Sequence, residues 1–311
     1  MLTSRLILIF CIWQICCIQI GFATNIESTP NIKIAYEGYK PNETEALKIK
    51  NAITFLHHYY KNKLGLQFSK DLKIKLRIFG DYYSYKIYQL GFSRSTTDGA
   101  FYSSKFDEAV VWKRKDAEIL LKDICHEVSH LLVGNLVGDK NQAFKKRPLW
   151  INEGLSEYFE NLDIEFESIK VQPNVVKLER CREWLLKNEM VPLSDYLGFS
   201  NKEWKENDGK ENVYQSRTIG WSLMYFIFSK PEGAEIVGKM LKYMVANQYD
   251  ENNAYKAVEL LYPGGVKAIE HDWKFWLLQN SNLVAQEVEK DNNLFNSPNK
   301  EANILQSRGQ K

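Results

Sequence analysis

The stretch Ile119-Leu120-Leu121-Lys122-Asp123-Ile124-Cys125-His126-Glu127-Val128-Ser129-His130-Leu131-Leu132-Val133 decides how this chain is read. Ile119, Leu120, Ile124, Val128, Leu131 and Leu132 recur at three-to-four-residue intervals, and no Gly or Pro interrupts residues 116–133. This spacing predicts a helix with one apolar face, and Asp116 can cap its start. On such a helix His126 and His130 lie one turn apart on the same face, so both imidazoles can aim at a single ion. Glu127 sits one position round and flanks that ion. Ordinary helix histidines beside a glutamate would give the same letters, so a metal reading needs a second signal.

Trp150-Ile151-Asn152-Glu153-Gly154-Leu155-Ser156-Glu157-Tyr158 supplies it. In the pattern His-Glu-x-x-His the histidines hold Zn²⁺ and the glutamate takes a proton from water on the metal. A catalytic zinc uses three protein ligands and leaves one position open. A third histidine in a tight extension would require Gly and His at the third and sixth positions after His130, where the chain has Val133 and Leu136. That route is closed. Glu153, on a second helix expected over 149–162, fits as the third ligand, with Gly134, Gly138 and Pro148 between to turn the chain back. Glu157, one turn further on, is read as the acceptor that orients a ligand histidine or as a solvated helix carboxylate. Glu160 is read as solvated.

Together the two motifs resemble the gluzincin zinc metallopeptidases, the class of thermolysin and the zinc aminopeptidases, and most of all the peptidase MA-like bacterial family. By motif the resemblance covers roughly residues 95–230. It implies one Zn²⁺ held by His126, His130 and Glu153, with Glu127 as general base. Tyr214, 61 residues beyond Glu153, resembles the transition-state tyrosine of the aminopeptidases, which would stabilise an oxyanion beside the metal. A helix-start tyrosine packed on the core is the other reading of it. Arg217 is a candidate contact for a substrate carboxylate, against a plain surface role. In aminopeptidases a glycine-led segment carries a glutamate for the substrate's amino terminus. Gly99-Ala100-Phe101-Tyr102-Ser103 has no carboxylate, which argues against that subclass.

Residues 1–23 read as a secretory signal peptide. Arg5 precedes an apolar run from Leu6 to Ile20 that ends in Gly21-Phe22-Ala23, a small-residue cleavage pattern. Export to the periplasm or the extracellular space follows, without stable membrane insertion after cleavage. Cys125 and Cys181 are the cysteines that remain, too few for a disulfide scaffold, and their pairing is left open. With 41 basic and 39 acidic residues, a net charge of +2, the chain has no basic excess that would imply a nucleic-acid partner. Asn42-Glu43-Thr44 has the form of a glycosylation acceptor in a eukaryotic secretory route.

The fold class expected is α+β: a small mixed sheet with an exposed edge strand, packed on the zinc-binding helices and followed by a mainly helical C-terminal part. Strands are expected at 32–36 and 72–79, with a hairpin over 97–103 and 108–112; helices are expected at 44–60 and 82–90. His57 and His58, near the end of the first helix, are read as packing residues. Further helices are expected at 175–186, 192–197, 213–228, 234–246, 255–261 and 266–278. The division expected is an α+β part over 24–165, a helical part over 166–279 closing the cleft, and a disordered tail over 280–311. The function implied is zinc-dependent hydrolysis of a peptide or protein substrate. The alternatives are a non-catalytic binding protein that keeps the zinc fold, and a zinc hydrolase for an amide or ester outside proteins.

Overall fold

Two strands with period-two apolar alternation and a third that is apolar on both faces pair in parallel and set the frame. The computed structural model describes residues 30–91, 97–114, 116–136, 146–164, 169–208 and 215–280; residues 1–23, expected to be a signal peptide, Tyr214 and residues 281–311, most of the expected disordered tail, lie outside them. Strands β1 (Asn31–Glu37), β2 (Lys73–Phe79) and β4 (Glu108–Trp112) run parallel, and the short β3 (Phe101–Ser103) runs antiparallel to β4, in the order β1-β2-β4-β3. Parallel neighbours need crossovers. Helix α1 (Glu43–His58) supplies the first and α2 (Tyr82–Leu90) begins the second. The sheet is therefore mixed, with β3 at one edge.

Alternation along β2 and β4 gives the sheet two different faces. Ile74, Leu76 and Ile78 with Ala109 and Val111 join the main core beneath α1 and α3 (Ala117–Gly134). The other face carries Phe79, Val110 and Trp112, which pack with Tyr85 and Tyr88 of α2. That second helix also shortens the expected hairpin. Residues 97–99 are bound to α2 through Lys86 Nζ donating to the Thr97 carbonyl at 2.7 Å and the Tyr85 hydroxyl donating to Gly99. Pairing with β4 consequently starts at Phe101.

Helix α3 starts where Asp116 accepts a hydrogen bond from the Glu118 N–H at 2.8 Å, the cap expected from sequence. It lies between the sheet, α1 and α4 (Leu149–Phe159). A π-helical turn at Tyr59–Lys63 follows α1 and lets the Tyr60 hydroxyl reach Ser129 in the interior of α3. His57 stacks on Phe68 with centroids 5.6 Å apart, in keeping with a packing role.

All of α4 is buried, because α3 covers one side and α8 (Gln215–Phe228) the other. It ends at Phe159, short of the expected 162, because Leu162–Ile164 (β5) folds against Ile169–Val171 (β6) as a two-stranded hairpin. Beyond it come α5 (Val175–Leu186), α6 (Leu193–Gly198), α7 (Asn201–Asp208), then α8, α9 (Gly233–Ala246), α10 (Ala254–Leu261) and α11 (Gly265–Gln279). The hairpin and α7 were not anticipated. One contiguous apolar cluster extends from Ile49 of α1 to Leu277 of α11. The architecture is α+β, and among the described residues no helix is long and apolar enough to cross a membrane.

Candidate metal centre

Helices α3 and α4 bring His126, His130 and Glu153 together. The two Nε2 atoms are 3.1 Å apart, His126 Nε2 is 3.7 Å from Glu153 Oε2, and His130 Nε2 is 3.7 Å from Glu153 Oε1. Three donors each bonded at ~2.1 Å to one tetrahedral ion stand about 3.4 Å from one another. The two imidazole nitrogens and the two carboxylate oxygens that face them stand 3.1–3.7 Å apart, around that value, and the three residues form a group that could hold a metal ion.

Each donor is oriented from behind. The Ser156 hydroxyl donates to the Asn152 carbonyl at 3.1 Å and lies 3.0 Å from His130 Nδ1. The Asn152 side-chain amide stands 2.9 Å from the same Nδ1, so two polar groups of α4 fix the His130 ring, and metal binding through Nε2 requires the tautomer that carries its proton on Nδ1. His126 Nδ1 lies 3.2 Å from Glu160 Oε2. The carboxylate on a donor histidine is thus Glu160, and the expectation that gave this task to Glu157 and left Glu160 in solvent is corrected. A helix advances 100° per residue, which carries Glu157 past His126 toward α5 and α8. Glu157 is paired there with Lys177 and with Arg217 Nη1, the latter at 3.3 Å.

Glu153 is held by two guanidinium groups, Arg217 Nη1 at 3.2 Å from Oε2 and Arg147 Nη2 at 3.8 Å from Oε1. Burial works against its charge, but His130, Arg217 and His126 outweigh burial and keep its carboxyl well below the usual range. Burial is also the main influence on His130, whose imidazolium it disfavours, pushing the group down to about 3. At His126 burial acts in the same sense, yet the Glu153 and Glu160 carboxylates prevail and raise it well above the ordinary value. Glu127 is buried beside them. Burial pushes its carboxyl up to about 7, with His126 opposing and the Glu153 and Asp123 charges adding to the rise.

A second cluster, His126 with Glu157 and Glu160, also has metal-like spacing. Lys177 already supplies its cation: Nζ lies 3.2 Å from Glu160 Oε1 and is bonded to Glu157 as well. Arg217, a candidate contact for a substrate carboxylate, is turned inward on two of its nitrogens: Nε is 3.0 Å from Asp208 Oδ2, and Nη1 serves Glu153 and Glu157. Tyr214 lies outside the described residues. Cys125 and Cys181 are both free and buried, which answers the question of their pairing. Lys177, Arg147, Asn152 and Ser156 were not identified from sequence. The available signal was the pair of glutamates on a helix with no polar face, followed by a third at its C-terminal cap, which demands buried cations from its neighbours.

The sequence matches no family model, and no curated protein matches it.

Proposed function

We propose that the protein is an exported, zinc-dependent metallopeptidase of the gluzincin type, acting on peptide or protein substrates. The observation that carries this reading is the spacing of the His126, His130 and Glu153 donor atoms, with buried Glu127 next to them. Two imidazoles and one carboxylate are the ligand set of catalytic zinc in this class of peptidase. When bound, the ion supplies Lewis acidity, polarising a carbonyl and acidifying a water.

The chain's own groups do the rest. Glu127 takes a proton from the attacking water on its carboxylate and delivers it to the leaving nitrogen. Ser156 and Glu160 hold the two imidazoles by their Nδ1 atoms. The outer edge of β3 can receive an extended peptide by strand addition. Tyr214 is the proposed donor to the oxyanion.

Metal analysis and a peptide-library assay on wild type and Glu127→Gln test the reading. One zinc per chain, chelator-sensitive cleavage, and a variant that keeps zinc but loses roughly 10²–10⁴-fold in rate are expected. An active Glu127→Gln protein, or a wild type without stoichiometric metal, would refute it. Zinc retained with no cleavage of any peptide would favour the binding-protein alternative.

A further inference from the structure

Two charged side chains outside the donor set, Asp208 and Arg217, form a line toward it. Asp208, at the end of α7, accepts from the Arg217 backbone N–H at 3.2 Å and from its Nε at 3.0 Å. Arg217, in the first turn of α8, then extends Nη1 to Glu153 Oε2 at 3.2 Å and to Glu157 Oε1 at 3.3 Å. Glu153 and Glu157 stand one turn apart on a buried helix face, where two carboxylates repel each other and neither has water to compensate. The guanidinium resolves that conflict by placing one positive charge between them.

The position is fixed by backbone packing. Helices α4 and α8 meet at Gly154 and Gly220, where a Cβ on Gly154 would come within 2.8 Å of the Gly220 carbonyl oxygen. Arg217 lies three residues before Gly220 and Glu153 one residue before Gly154, so the glycine contact brings the two side chains level. A planar fork with five donors can satisfy three carboxylates at once; an ammonium on a flexible stem satisfies them less completely.

We propose that Arg217 is a positioning residue for the metal site: anchored by Asp208, it sets the rotamer of Glu153 and keeps that carboxylate aimed at His126 and His130. This rests on the metal reading above and adds to it that zinc affinity is controlled from α7 and α8. The test is zinc affinity by competition with a chromophoric chelator, with thermal melting in parallel, on wild type, Arg217→Ala, Arg217→Lys and Asp208→Asn. Removing a group that orients a metal ligand costs roughly 10–100-fold in metal affinity. Arg217→Ala should fall in that range, with Arg217→Lys between it and wild type, and Asp208→Asn weakened by a smaller factor. A purely structural arginine would lower the melting temperature of the folded variants and leave their affinity unchanged.

Wild-type affinity in Arg217→Ala overturns the proposal. If that variant does not fold, wild-type affinity in both Arg217→Lys and Asp208→Asn overturns it. A wild type that binds no zinc overturns the metal reading itself, and this one with it; zinc-loaded wild type beside an unaffected Arg217→Ala overturns this one alone.

Discussion

Gly154 and Gly220 meet at close range: a Cβ on the first would stand 2.8 Å from the carbonyl oxygen of the second, and one on Gly220 would stand 2.8 Å from the Tyr196 hydroxyl and 3.2 Å from the Trp150 carbonyl. At Gly154 the nearest atoms, the Gly220 carbonyl oxygen and carbon, belong to helical backbone and cannot rotate aside. Alanine would gain about 1 kcal/mol of helix propensity over glycine. Overpacking at a fixed contact costs roughly 1–3 kcal/mol, and here it wins. Gly154→Ala is therefore expected to lower the melting temperature by several degrees, at roughly 2–4 °C per kcal/mol for a chain of this size. The same variant should bind zinc more weakly, because α4 must back away from Arg217. A melting temperature at or above wild type in a calorimetric scan would show slack in the α4–α8 contact.

His126 has one carboxylate behind its Nδ1, that of Glu160 at 3.2 Å. Glu160→Gln keeps the volume of that side chain and removes its charge, so the imidazole loses the acceptor that makes it a stronger donor. Zinc affinity should fall by roughly 10-fold or more. Glu157→Gln touches no donor histidine, and its effect should be smaller, arising through Arg217 and Lys177. Chelator competition on the two variants ranks them. Equal losses would mean that the two carboxylates act on the site as one charge cloud and that contact with His126 is immaterial.

Legibility of the fold and site followed how local each determinant is. The run around His126 carries its own helix signal and its own cap at Asp116, and the donor triad follows from helix geometry once Glu153 is placed. Helix α7, Asn-Lys-Glu-Trp-Lys-Glu-Asn-Asp, buries Trp204 alone, so no apolar periodicity announces it. The β5–β6 hairpin consists of three-residue strands, shorter than any alternation that could be recognised. The roles of Glu157 and Glu160 were assigned otherwise from sequence than the structure has them, because they depend on Lys177 and Arg217, which reach α4 from α5 and α8. Pairing across helices that are distant in sequence leaves no periodic trace.

Every donor at the site has a protein partner of its own: Glu160 for His126, Ser156 for His130, Arg217 for Glu153. None of the three is left as an uncompensated buried polar group when the ion is stripped away, so the helices have no electrostatic reason to part. Chelation should leave the far-UV circular dichroism spectrum in place, and the melting transition should stay cooperative. Its midpoint should drop by the linkage amount alone, about 4 kcal/mol of stabilisation when free zinc stands at 1,000 times its Kd. Collapse of the helical signal on adding chelator would instead make this a structural zinc site, in which metal binding and folding are one event.

Cys125 faces the core of α3 and Cys181 that of α5, where its thiol lies 3.3 Å from the Ser222 hydroxyl. Burial pushes both thiols up to about 12. At pH 8 the reactive thiolate is then a minute fraction of either group, and neither sulfur is open to solvent. Protein expressed from residue 24 onward should show no reaction with a thiol-specific chromogenic reagent while folded, and two equivalents per chain in denaturant. The rate of native-state labelling, if measurable, should track opening of the fold. Fast stoichiometric labelling of Cys125 without denaturant would place the helix that carries His126 and His130 at the surface, and the buried donor triad described above would not survive that result.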